Sequence, residues 1–342
     1  MLFYVSDYID NMPLHKKPRT YQQFHMAAYY KPSRNQSTIH RQNILLKSLY
    51  AATKTIEQYR RGKDSRKDNE ILFDKLYWTF QVDQLGKIVR SGTKNAEFTM
   101  EKDKQQEFSF SFGSSTERQV KVKSNTCKPT NVDSIFIPAK EVLSLLDIIL
   151  RAREIDKEFG FDDTYYELAR SLRIRPTKGR NYPEFAKSRD LLQNSLGGSL
   201  TFDEKNKEWI FRQGNRTYSI SSTSEGIKKM SILDTLLGNH YLKKGAVVFI
   251  DEPEAALHPS LISTFMDIIE ILTNAGLQFC ISSHSYFVIK KLYLIAHQQE
   301  ISIPVISFSS DGNVQYSNLK EEMPENAIID ESIRLYKEEI SL

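Results

Sequence analysis

The stretch that most constrains this chain is Gly245 to Glu254, Gly-Ala-Val-Val-Phe-Ile-Asp-Glu-Pro-Glu. Ala246–Ile250 is a short apolar run rich in β-branched residues, with Gly245 before it. Such a run reads as a strand buried on both faces, the kind that parallel sheets use. Asp251 and Glu252 then fall at its carboxyl end, where open α/β sheets hold ligands. Pro253 stops the strand. Of two adjacent carboxylates in that place, the first can hold Mg²⁺, directly or through water, and the second can orient an attacking water. The simpler alternative is a strand running into a solvated acidic turn.

The next thirty residues narrow the choice. Leu257-His258-Pro259 leads into a helical pattern over Ser260–Asn274. A second apolar strand, Gln278–Ile281, ends in Ser282-Ser283-His284-Ser285. Strand, acidic pair, helix, strand and histidine thus fit within about forty residues, the size of a βαβ unit. On these residues the sequence resembles the ABC class of ATPases, in the bacterial AAA-family branch that contains the SMC proteins and the OLD-type ATPases. The resemblance implies an α/β fold of the P-loop NTPase kind: a mixed sheet, an antiparallel β subdomain and a helical lobe. It also implies ATP and Mg²⁺ as cofactors. Asp251 and Glu252 match the Walker B motif, Ala255–Pro259 the D-loop, and His284 the switch histidine that contacts the γ-phosphate.

One part of that pattern is missing. A phosphate loop G-x-x-x-x-G-K-[ST] cradles phosphates with backbone N–H groups and a lysine. No Gly occurs before Gly62. Yet Ile44–Ala52 looks like the helix that follows this loop in the family, so Gly-Lys-Thr is expected at Arg41, Gln42 and Asn43. Thr38–Asn43 can be encoded as ACA ATC CAC AGG CAA AAC. Followed by the A of an Ile codon and read one base later, this gives Gln-Ser-Thr-Gly-Lys-Thr. Two explanations stand: residues 1–43 are an out-of-frame segment, or the protein is divergent and has no P-loop. The family-like domain is residues 44–342, with a helical insert at about 142–196.

Between these landmarks the strand signals are Leu76–Phe80, Glu97–Met100, Glu107–Phe112, Gln119–Val122 and Asp133–Pro138. Phe-Ile-Pro-Ala-Lys-Glu-Val-Leu-Ser, from Phe136, resembles a subgroup signature at the Q-loop position, although it contains no Gln. Helices are expected over Val142–Phe159, Asp162–Leu172 and Glu184–Leu196, with Asp162 or Asp163 as a cap and Gly197-Gly198 as a stop. A meander of Ser199–Asp203, Glu208–Arg212 and Arg216–Ile220 comes next. Ser224-Glu-Gly226-Ile-Lys228 then opens an amphipathic helix, a place where N–H groups and the helix dipole can meet phosphate. A plain Ser cap explains the same residues. The resemblance assigns Ser224, Gly226 and Lys228 to the ABC signature, which touches ATP held by the other subunit. Tyr286–His297, Pro304–Phe308, an Asp311-Gly312-Asn313 hairpin to Val314–Asn318, and a closing helix Ile328–Ile340 complete the chain. Glu254 reads as a surface acid, and His258 as either a family feature or a satisfied turn residue.

Composition excludes several classes. No apolar run approaches the ~18 residues of a membrane span, and no signal-peptide core opens the chain, which points to a cytoplasmic protein. Cys127 and Cys280 are the only cysteines, and no zinc spacing is present. Ser283, His284 and Asp251 lack the G-x-S-x-G elbow of a hydrolase triad. The net charge of +4 is uneven, with 13 Lys/Arg against 5 Asp/Glu in residues 1–69. That excess can favour DNA, or be a solvated surface. An OLD-type nuclease needs a Toprim domain after the ATPase, for which 342 residues leave no room. By resemblance, the expected partners are a second copy of the chain and a separate effector protein of a defence or DNA-maintenance system. A non-catalytic scaffold or regulator that lacks a working P-loop is the alternative.

Overall fold

A computed structural model describes residues 1–5, 38–60, 62, 64–89, 94–102, 106–128, 130–175, 181–206, 208–308, 314–325 and 327–342. The acidic strand is where the sequence puts it. β9 (Val247–Asp251) is buried along its length except at Asp251. It lies between two parallel neighbours, β5 (Ile135–Ile137) and β10 (Gln278–Ser282). Alternate β9 side chains enter two cores: Val248 and Ile250 face one, Val247 and Phe249 the other. A strand packed on both faces needs apolar residues at every position, which explains the unbroken run.

Among the described residues the main sheet has the order β12-β11-β1-β10-β9-β5. β11 (Pro304–Phe308) and β12 (Val314–Asn318) form an antiparallel pair at one edge. β1 (Leu2–Val5) runs antiparallel between β10 and β11, so the sheet is mixed. This strand is not readable in the sequence, because four residues give too short a pattern. The proposed hairpin at Asp311–Asn313 lies outside the described residues, as does about half of the basic amino-terminal stretch.

One face of the sheet carries α4 (Asp163–Leu172), α5 (Pro183–Leu196), α6 (Glu225–Gly238), α7 (Pro259–Asn274) and α8 (Tyr286–Gln298). Asp162 caps α4 by accepting from the Thr164 N–H at 2.8 Å, and Gly197 ends α5 at φ 66°, as expected from their residue types. The other face carries α1 (Thr38–Arg60) and a separate antiparallel sheet, β2 (Asn95–Lys102), β3 (Gln106–Gly113) and β4 (Lys121–Asn125). A third sheet joins β6 (Ser199–Asp203), β7 (Glu208–Gln213) and β8 (Arg216–Ser219) as the expected meander. α9 (Ala327–Glu339) closes the chain. The fold class is therefore the expected one.

Three local readings are corrected. Leu76–Phe80 is not a strand but the end of α2 (Asp68–Phe80). Ile71, Leu72, Lys75, Leu76 and Thr79 are its buried residues, a helical spacing, and that packing overrides the β preference of Tyr77, Trp78 and Phe80. Val142–Phe159 is not one helix. A 3₁₀ turn at Leu143–Leu145 precedes α3 (Leu146–Arg151), and a π turn over Ala152–Asp156 ends at Lys157, φ 56°. The π turn buries no residue, so no core contact holds this segment to α-helical geometry. Finally, α1 starts at Thr38 and not at Ile44, so positions 41–43 lie within helix. No described helix is long and apolar enough to cross a membrane.

Candidate functional site

Asp251 and Ser282 face each other at the carboxyl ends of parallel β9 and β10. The chain leaves β9 through a tight turn. The Glu252 N–H donates to the Ser282 carbonyl at 2.8 Å, which keeps the two strand ends together one residue further. Glu252 and Ala256 are both left-handed, at φ 46° and 61°. Non-glycine residues there cost backbone energy and commonly mark functional turns. The turn is held by Ala255 N–H to Glu252 O and Leu257 N–H to Glu254 O, each at 3.0 Å.

The electrostatics are those of a site short of positive charge. Burial, and then the neighbouring Glu252 charge, push the Asp251 carboxyl up; a Ser282 hydrogen bond and the Lys47 and Lys229 charges only partly oppose this. The Asn43 amide donates to Asp251 Oδ2 at 3.3 Å. Among the described residues no group of three His, Cys, Asp or Glu could hold a metal. One under-compensated carboxylate beside an amide fits Mg²⁺, which is held by one or two carboxylates plus substrate phosphates and waters. His284 lies just past β10, and burial lowers its pKa against the pull of Glu254 and Asp251. Its imidazole is thus kept neutral over more of the pH range.

α6 meets the same turn from the other side. The Ser224 hydroxyl caps the helix by accepting from Ile227 N–H at 3.4 Å, and Ser224 is exposed. Gly226 is buried, and a β-carbon there would come within 2.7 Å of the Ala256 carbonyl oxygen. Only glycine allows α6 to lie this close to the turn after the acidic pair. A strand-end acidic pair, a histidine at the end of the adjacent parallel strand, and a glycine-containing helix start against the intervening turn now stand together.

Residues 32–290 match the family described as "AAA domain, putative AbiEii toxin, Type IV TA system". The chain belongs to this family. It is thereby an AAA-domain protein. No curated protein matches it. Among solved structures, it is similar to an SMC head bound to the C-terminal winged-helix domain of ScpA, at 14% identity and a TM-score of 0.45, over 84% of this chain and 89% of that one. It is also similar to an SMC head domain with an extended coiled coil bound to the C-terminal domain of ScpA, from Pyrococcus furiosus, at 12% identity and a TM-score of 0.43, over 86% and 91%. An SMC head domain from Thermotoga maritima matches at 15% identity and a TM-score of 0.35, over 67% and 74%.

In this AAA-family chain, the sequence-predicted residues divide into two groups. Asp251, Glu252 and His284 gather at the ends of β9 and β10, with Ser224 and Gly226 across the turn. Lys228 stands apart: only 4% exposed, its ammonium lies 2.8 Å from Glu225 and 3.5 Å from Glu141 of the same chain. His258 caps α7, its ring nitrogen accepting from Ser260 N–H at 3.3 Å. Glu254 is not a plain surface acid: its Oε1 accepts from Ser283 Oγ at 2.9 Å and from His284 N–H at 2.8 Å.

Two further residues escape sequence reasoning. Asn43 carries a partial signal, since it sits where the threonine of Gly-Lys-Thr is expected, but its contact with Asp251 is visible only in the fold. Lys229 carries none. It is buried beneath the acidic turn, where its ammonium donates to the Asp251 and Glu252 carbonyls. Burial lowers its pKa to about 8, although Glu254, Asp251 and Glu252 pull it upward. A cavity of about 740 Å³ lies at the far end of α6, beside Asp234 and Gly238, and contains none of these residues.

Proposed function

We propose that this chain binds and hydrolyses ATP as an ABC-type ATPase that works through nucleotide-dependent dimerisation. The observation that carries the reading is the placement of Asp251 and Glu252 at the end of β9, paired with the β10 end that leads into His284, and closed by Gly226 against the turn. In this reading Asp251 would hold Mg²⁺, which would supply positive charge against the phosphates. Glu252 orients the attacking water, and His284 donates to the γ-phosphate. Ser224 and Gly226 serve ATP held by a second copy of the chain. Lys228, in its pairs with Glu225 and Glu141, supports the signature turn from behind. Phosphoryl transfer asks mainly for positioning and charge stabilisation, which such an arrangement supplies. The same reading assigns the chain to the cytoplasm, as the ATPase component of a defence or DNA-maintenance system with a separate effector. With a phosphate loop restored at Arg41-Gln42-Asn43, purified protein carrying Glu252→Gln should dimerise with ATP and Mg²⁺ in light scattering, because it can bind but not hydrolyse. A variant that stays monomeric with ATP bound would refute the dimer mechanism.

A second reading is favoured by a specific observation. The sequence has no G-x-x-x-x-G-K-[ST], and Gln42 and Asn43 stand in the places of its Lys and Thr. Here the chain is a scaffold or regulator that keeps the fold and binds nucleotide weakly. The division into an aberrant segment 1–43 and an ATPase domain 44–342 belongs to this proposal. ATP binding and turnover measured on the chain as encoded separate the two readings. Resequencing the gene tests the frame.

A further inference from the structure

Glu254 is an acid of the turn whose carboxylate reaches the loop after β10. β10 stops pairing with β9 at Ser282, so the Ser283 hydroxyl and the His284 N–H lie beyond the ladder. Both donate to the same oxygen, Glu254 Oε1, at 2.9 and 2.8 Å. Hydrogen bonds to an ionised carboxylate are about twice as strong as neutral ones. Glu254 cannot drift, because it sits between left-handed Glu252 and Ala256 and its own carbonyl accepts from Leu257 N–H at 3.0 Å. Ala256 is in turn the residue whose carbonyl oxygen would lie 2.7 Å from a β-carbon at Gly226. A continuous line of tight contacts therefore runs from α6 through Ala256 and Glu254 to His284.

We propose that Glu254 is a positioning residue for His284: it ties the turn after β9 to the loop after β10, so that displacement of α6 against Ala256 moves the histidine. This rests on the role given to His284 in the proposed function, and it adds a way for α6, which would serve the partner's ATP, to act on this chain's own site.

The test uses the full chain labelled on histidine, of which there are seven. In Glu254→Ala the His284 amide should exchange roughly tenfold faster or more, since it loses a hydrogen bond to a charged acceptor. The His240 amide, which donates to Leu237 at the far end of α6, should be unchanged. Glu254→Gln keeps an acceptor at the same place and should restore slow exchange. Gly226→Ala should shift the His284 amide resonance, and should fail to do so when Glu254→Ala is also present. Unchanged His284 exchange in Glu254→Ala overturns the proposal. So does equal acceleration of every histidine amide, or a Gly226→Ala shift that persists without Glu254. ATP binding by the unmodified chain is measured separately: its absence counts against the proposed function, while the exchange data still decide the role of Glu254. Where turnover is measurable, Glu254→Ala should lower kcat at unchanged KM, and Glu254→Gln should recover it.

Discussion

Replacing Gly226 with alanine is the sharpest probe of the contact between α6 and the acidic turn. The added methyl meets the Ala256 carbonyl oxygen at 2.7 Å and Leu257 Cδ2 at 3.0 Å. The first is backbone and cannot swing away. Ala256 is already left-handed at φ 61°, so the turn has little room to yield. Overpacking of this kind costs about 1–3 kcal/mol. Against it stands the helix preference of Ala over Gly, at most ~1 kcal/mol in a helix interior and less near the amino terminus. The clash wins, with a net loss of about 1–2 kcal/mol. Unfolding entropy for 342 residues is about 0.7 kcal/mol/K, so Tm should fall by about 1.5–3 °C. Gly238→Ala, at the other end of the same helix, is the control. There the three nearest atoms to the methyl, from 2.8 Å, belong to the Arg189 guanidinium, which is ion-paired with buried Asp234 at 2.8 Å. Its Tm should fall less than that of Gly226→Ala, since a side chain can re-aim where a backbone carbonyl cannot, and the helix preference of alanine offsets part of the cost. Scanning calorimetry on both variants decides. Equal melting temperatures, or a Gly226→Ala protein more stable than wild type, would mean that α6 does not press on the turn.

Charge supplies two other predictions. Glu167 is held at about 2 against burial by Lys75 and Lys54, which lie 3.1 and 4.0 Å away. A carboxylate with a depressed folded pKa adds stability above its ordinary value of 4.5 and loses it as pH falls towards about 2. Glu167→Gln should therefore cost about 2 kcal/mol at neutral pH, less than a fully broken buried pair because both lysines keep a second acid. Urea midpoints should show the gap to wild type closing across that acid window; a constant gap would refute the assignment. Separately, placing Gly-Lys-Thr at Arg41-Gln42-Asn43, with a Gly-containing loop before it, should raise ATP turnover roughly a thousandfold, by analogy with preorganised donors. Glu252→Gln should abolish turnover in the repaired chain with ATP still bound. Robust Glu252-dependent turnover by the chain as encoded would show that other residues hold the phosphates.

The legible parts of the fold share one property: a single constraint acts on a long enough run. β9 must be apolar on both faces, and α7 must show one apolar face after Pro259, so both are written in residue type alone. α2 misleads because its last five residues favour strand, while the helical spacing of its buried side chains extends back to Ile71. β1 is invisible because its pairing partners lie some 280 and 300 residues away, and four residues cannot advertise them.

The site divides along the same line. The placement of Asp251, Glu252 and His284 is legible because the two apolar strands that end at them can be read from residue type, and their ends fix the spacing. Glu254 and Lys229 are not, because their tasks are set by what the fold brings to them. Glu254 is an acid in an acidic turn until the end of β10 delivers two donors to its Oε1. Lys229 is one of two adjacent lysines until the buried face of α6 sets it beneath the Asp251 and Glu252 carbonyls and leaves Lys228 to Glu225 and Glu141. A buried lysine costs stability, and the lowered pKa of Lys229 is the measure of that cost. The cost is tolerable only where carbonyls and carboxylates already crowd together. Lys229 thus sits where burial outweighs the pull of Glu254, Asp251 and Glu252, a balance that only the folded turn sets.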